Sequence, residues 1–248
     1  MAVMEFLGQN LVNTTTQVAV QSNTSTAAYL YNRNRTLGYT SSGYNTTTAT
    51  TITISFTAAT PVSHVMLLNH NIQNYSILAS GVTISVSTTN SATSSYFSFA
   101  TISTAQLVFT LTSVFTAGGG EKQIGELIIA NRQLQFVNNP TVENYQPTVQ
   151  RTQVRHEMPD GGVTLYNIRN KFKGSVGLTF ITRAFHDNLL SIYETATPVY
   201  FIPFPTATSW DGRAYETVWS GPFDFKYSSN VESVGYSGNI SVEETPSA

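Results

Sequence analysis

The chain has 248 residues, 41% of them hydrophobic, with a formal net charge of −2. That supplies enough apolar side chain for packed cores and too little positive charge for the basic stripe that duplex nucleic acid demands. Cysteine is absent, which excludes disulfide frameworks, thiolate metal sites and a thiol nucleophile.

The charges are unevenly spread. Between Met1 and Gly120 only Glu5, Arg33 and Arg35 are charged, and the other 23 of the 26 acidic and basic residues follow. The first half carries Thr, Ser and Asn instead, groups that hydrogen-bond with water without titrating near neutral pH. The opening Met1–Leu7 lacks the basic residues and long apolar run of a signal peptide. No apolar stretch approaches the ~20 residues that cross a bilayer, so neither membrane nor nucleic acid is an expected partner.

In chain order, Thr51–Phe56 alternates polar and apolar residues, as does Val82–Ser87, and Leu107–Leu111 continues the pattern. This is the period-2 signature of strands with one buried face. Val65–Leu68 is continuously apolar, which predicts a strand covered on both sides. Gly118-Gly119-Gly120 breaks the pattern, and Gln123–Ala130 resumes it as the last strand of a first domain, placed at residues 1–135. Asn138–Pro147 reads as a turn-rich connector.

The second domain, residues 136–248, begins with a hairpin. Pro159-Asp160-Gly161-Gly162 is a turn signal between Val154–His156 and Val163–Tyr166. A strand is predicted at Ser175–Phe180. Thr182 then stands at an N-cap position, with Phe185, Leu189, Ile192 and Tyr193 on one helical face, which predicts a single amphipathic helix over 182–195. Strands follow at Val199–Ile202, Tyr215–Trp219 and in the last segment. The expected fold is all-β: an N-terminal jelly-roll β-sandwich and a C-terminal β-rich domain with one helix.

Residues suited to catalysis are few. Of His64, His70, His156 and His186, the first two lie six apart around an apolar strand with no carboxylate or cysteine nearby to complete a zinc set, and both read as hydrogen-bonded turn histidines. His186-Asp187 would need a serine in a Gly-x-Ser-x-Gly elbow, and none exists. The carboxylates Glu143, Glu157, Asp160, Glu194, Asp211, Glu216 and Asp224 read as solvated charges. No catalytic, cofactor or metal residue is assigned, and the chain is expected not to be an enzyme. Aromatic residues crowd the stretch from Tyr200 to Tyr227. Trp210, beside Asp211-Gly212, is expected to be exposed and to anchor an interface, with Tyr215 and Trp219 as further candidates. Tyr29, Tyr31, Tyr39, Tyr44, Tyr75 and Tyr96 are suited equally to stacking on sugar rings and to half-buried positions with a wet hydroxyl.

Leu67-Leu68-Asn69-His70-Asn71-Ile72, after Ile52–Phe56 and Thr60–His64, resembles the central strands of galactose-binding-like (discoidin-type) jelly rolls, above all those inside tailed-phage structural proteins. The second half is similar to a family of phage tail-tip proteins. The carrying residues are Arg155–Gly162, the helix 182–196, Pro198–Pro203, Trp210-Asp211-Gly212 and Gly221–Phe225. The resemblance implies a distal-tail or baseplate-hub component that forms a homo-oligomeric ring with other tail proteins and presents the jelly roll outward. Such a protein is made and assembled in the bacterial cytoplasm and resides in the virion. The alternative expectation is a carbohydrate-binding module that recognises host surface glycans.

Overall fold

The computed structural model describes all residues except 1–2, 15, 43–47, 88–89, 116–119, 138–139, 142, 159–160, 206–209, 211, 228–234 and 246–248. The expected Gly118-Gly119 break, Tyr44, Asp211 and the Pro159-Asp160 half of the hairpin turn therefore lie outside the described residues. The fold is all-β: antiparallel strands dominate, joined by one α-helix and one short 3₁₀ helix among the described residues.

Two compact units divide the chain. The first contains Met1–Arg132 and Ile202–Arg213, and the second Gln133–Phe201 and Ala214–Pro246. The chain thus returns to the first unit for twelve residues (202 to 213), which one boundary between 135 and 136 does not contain.

In the first unit the strands are β1 (Glu5–Leu7), β2 (Gln17–Val20), β3 (Tyr39–Thr40), β4 (Thr50–His70), β5 (Ile72–Ala79), β6 (Val82–Ser87), β7 (Ser95–Val114) and β8 (Gln123–Ala130). The order β3-β8-β4-β7-β5-β6 makes one antiparallel sheet, with β2 added on β4. The two longest strands, β4 and β7, pair with each other along two stretches. The first part of β4, Thr50–Ser55, pairs with Gln106–Leu111, and its second part, Thr60–Leu67, with Ser95–Thr104. The register slips between Ser55 and Thr60 and again between Val62 and His64; such irregularities bend a strand and let the sheet fold onto itself. Ile52, Ile54, Leu107 and Phe109 then face Val65, Leu67, Leu127 and Ile129 in one core. The apolar run Val65–Leu68 is buried on both faces, as its composition predicts.

The second unit is built on β10 (Tyr145–Glu157), β11 (Val163–Ile181), β12 (Val199–Ile202), β13 (Tyr215–Trp219), β14 (Asp224–Tyr227) and β15 (Tyr236–Glu244), following the short β9 (Arg132–Gln135). The strand order β10-β11-β15-β13-β12 is antiparallel, and β14 pairs with the start of β15. The helix α1, Arg183–Thr195, begins at Thr182, whose hydroxyl accepts the Phe185 N–H. It ends at Ala196 in the left-handed region, with φ 51°. Leu189 and Ile192 are buried on its inner face. β10 pairs with β11 over its whole length, from Tyr145↔Val176 to Glu157↔Val163, whereas β15 joins β11 only from Lys173 onward.

Candidate functional site

The buried charges of the first unit come together although they lie far apart in sequence. Glu5 on β1 sits 3.0 Å from His64 Nε2 and 3.0 Å from Arg132 Nε. His64 Nδ1 lies 2.7 Å from the Ser63 hydroxyl, which accepts the Arg132 backbone N–H at 2.8 Å. Serine, histidine and glutamate in a row have the outline of a hydrolytic relay, but Ser63 is 1% exposed and its oxygen is already engaged. A nucleophile must reach a substrate, and this one faces protein. Burial raises the Glu5 pKa, but the hydrogen bonds and positive charge of His64 and Arg132 outweigh it, and the net shift is downward. Burial foremost, then the Glu5 charge, pushes the nearby Tyr96 phenol up, so it stays neutral.

The other histidines are also structural. His70 ends β4, where its Nδ1 accepts the Ile72 N–H at 3.0 Å and its Nε2 lies 2.9 Å from the Ser95 hydroxyl. Burial lowers its pKa to about 4. His64 is thus an interior strand residue and not the turn histidine its sequence suggests. His156 lies edge-on to Tyr166 at 5.6 Å, and His186 stacks on Tyr236 at 4.3 Å while pairing with Asp187. Among the described residues, no three His, Asp or Glu converge as a metal set.

Five carboxylates are likewise engaged within the protein. Arg35 holds Glu126 at 2.9 Å, Lys171 holds Glu243, and Arg155 pairs with Glu157. Glu244 accepts the Phe172 N–H, and Glu216 accepts the Thr245 hydroxyl.

Trp210 corrects the sequence expectation. It is 5% exposed and packs on Tyr96 with ring centroids 5.5 Å apart, so it anchors the interior of the first unit and does not project from a loop. Apolar burial of an indole outweighs the turn-like Asp-Gly that follows it. Tyr215 stacks on Phe172 at 3.8 Å, and Trp219 lies in a half-buried cluster with Tyr193 and Phe223.

The tyrosines separate clearly. Tyr39, Tyr75 and Tyr96 are buried, which leaves Tyr29 (36% exposed) and the half-buried Tyr31 as the described pair from that set with rings at the surface. Both come from the 3₁₀ helix Thr24–Leu30 and the turn after it. Asparagine side chains brace this segment. Asn23 Nδ2 donates to the Thr40 carbonyl, and its Oδ1 accepts the Ser25 hydroxyl. Asn32 Oδ1 accepts the Asn34 N–H, and Asn34 Oδ1 accepts both the N–H and the hydroxyl of Thr36. Such side-chain turns fix a loop without a sheet ladder. Asn23 at φ 54° and Arg33 at φ 63° take the left-handed conformation that lets the loop reverse. The result is a braced loop, residues 23–37, with Tyr29 at the surface and Tyr31 half-buried against the core, among amides, hydroxyls and the side chains of Arg33 and Arg35.

No protein-family model matches the chain, and no curated protein matches it either. Solved structures are similar in fold. A module produced by Clostridium perfringens, CpGH89CBM32-6, is 19% identical over 50% of this chain and 99% of its own, with a TM-score of 0.43. The chitosan-binding module 1 of a Paenibacillus chitosanase/glucanase, in a selenomethionine-labelled mutant form, is 14% identical over 50% of this chain and 99% of its own, at 0.44. The mycobacterial arabinofuranosyltransferase AftD is 7% identical over 98% of this chain but 18% of its own, at 0.37. Two of these three likenesses are to carbohydrate-binding modules.

Proposed function

We propose that this chain is a non-catalytic recognition protein whose first unit binds a neutral glycan through the loop 23–37. The observation that carries the reading is the exposed ring of Tyr29, with Tyr31 half-buried beside it, on a braced loop that has no acidic side chain and whose two charges are Arg33 and Arg35. Phenol rings stack on the apolar faces of pyranoses, and neutral amides and hydroxyls satisfy sugar hydroxyls without desolvating an ion. The proteins similar in fold include carbohydrate-binding modules, but at TM-scores below 0.5 the proposal rests on this chain's own surface. Its test is the full chain on an array of neutral glycans, with Tyr29→Ala and Tyr31→Ala alongside. Binding that falls at least tenfold in the variants supports the reading, and an array without signal at millimolar sugar contradicts it.

A second reading is the tail-tip structural role implied by the sequence resemblance, with the protein residing in the virion. What favours it is the long β10–β11 hairpin, which exposes more apolar side chain than a solitary recognition module requires. Mass spectrometry of purified tailed-phage particles decides it: the chain is present in intact particles, or the reading fails.

A further inference from the structure

Where α1 ends, the second unit holds a groove of about 380 Å³. Ile192, Val199 and Val242 line it as buried aliphatic side chains, and Tyr193 and Trp219 as half-buried aromatic ones. The two rings meet at 77° with centroids 5.5 Å apart, and Phe223 packs against both, at 5.5 Å and 5.8 Å. The Trp219 Nε1 is buried and has no hydrogen-bond partner among the described residues, so its N–H is not offered to a ligand in the groove.

The groove is electrically negative from two sources. Glu194 lines it, exposed, and has no hydrogen bond or ion pair among the described residues, unlike Asp187, which Arg183 holds, and Asp224, which Lys226 holds. The last turn of α1 carries no basic side chain, so the negative end of its dipole is not compensated from the helix itself. Yet free acceptors are scarce. The Ile192 carbonyl already takes the Thr195 hydroxyl at 2.8 Å, and the Tyr193 carbonyl takes the Ala196 N–H. A primary ammonium brings three N–H groups that each need an acceptor. A quaternary ammonium brings none, and it gains from aromatic faces and a nearby carboxylate.

We propose that this groove binds a small quaternary ammonium compound. Tyr193 and Trp219 receive the methylated head, Glu194 supplies the counter-charge, and the aliphatic lining takes the apolar stem. The site belongs to the second unit and depends on neither reading of function above.

The test is titration of the full chain with choline at fixed ionic strength, followed by calorimetry or by chemical-shift changes. Two controls run beside it: ethanolamine, the primary amine, and dimethylbutanol, the neutral carbon isostere of choline. The expected result is saturable choline binding in the low-millimolar range, with each control at least tenfold weaker. Glu194→Gln should weaken choline at least threefold, and because Glu194 is exposed its circular dichroism should match the parent. Trp219→Leu, checked for folding in the same way, should weaken it at least fivefold. No saturation by about 20 mM choline overturns the proposal. Equal binding of dimethylbutanol overturns it too, since the groove would then be merely apolar, and equal binding of ethanolamine overturns the quaternary class. Unchanged choline affinity in Glu194→Gln, or in a folded Trp219→Leu chain, also overturns the site.

Discussion

At the scale of single residues, a charge-poor segment pins its few charges in place. Glu5 and Arg35, two of the three charged residues before Gly120, are held by His64, Arg132 and Glu126. Removing one member of a buried pair strands the other. Glu5→Ala should therefore cost about 3 kcal/mol in urea unfolding, the low end of the usual range because Arg132 stays 31% exposed. His70 adds an acid-sensitive step. Its folded pKa near 4 lies below the 6.5 of a free imidazole, so the unfolded chain takes up a proton first. Stability is full above pH 6.5 and falls by about 3 kcal/mol as the pH drops to 4. The depressed Glu5 pKa works below that window, its contribution being lost as pH falls from 4.5 through its folded value. Urea midpoints measured from pH 7 to 4 should show this slope, and His70→Asn should flatten it. Trp210→Ala should destabilise the first unit by about 3 kcal/mol, whereas a surface anchor would leave the melting temperature unchanged. None of these pairings was legible in sequence, because residues 5, 64 and 132 meet only through the fold. The one hint was the rarity of charge around Glu5.

At the scale of elements, legibility followed burial. α1 was readable because Phe185, Leu189, Ile192 and Tyr193 mark a single inner face and Thr182 caps it. Thr182→Ala should cost about 1 kcal/mol, visible as a lower thermal midpoint. The strand segments of β4 and β7 were readable too, but not their continuity: the bulges after Ser55 and Val62 break the alternation that sequence reading relies on. The β10–β11 hairpin was read only near its tip. The start of β10, Tyr145–Pro147, fell in the segment read as a connector and Thr148–Gln153 was given no element, because a strand exposed on both faces has no buried side to alternate with. Gly238 shows how tightly β14 and β15 approach. A Cβ there would lie 2.5 Å from the Asp224 carbonyl oxygen, so Gly238→Ala should part the two strands and speed amide exchange across Asp224–Tyr227.

At the scale of the molecule, the two units differ in composition: hydroxyls and amides with few charges in the first, and most of the chain's charged residues in the second. The all-β class was legible from alternation and turn residues. The return of Ile202–Arg213 to the first unit was not, since a turn-like Trp-Asp-Gly gives no sign of which core takes the indole. The braced loop 23–37 was half legible, because its tyrosines were visible but their sorting into buried and exposed needed the core. The account holds that this loop recognises a neutral sugar and that the chain performs no chemistry on it. Titration of the full chain with neutral oligosaccharides by isothermal calorimetry, with products followed by chromatography, tests both parts at once. Saturable binding that Tyr29→Ala weakens at least tenfold, with the sugar recovered intact, is the predicted result. Absence of binding at millimolar sugar, or release of shorter sugars, would contradict it.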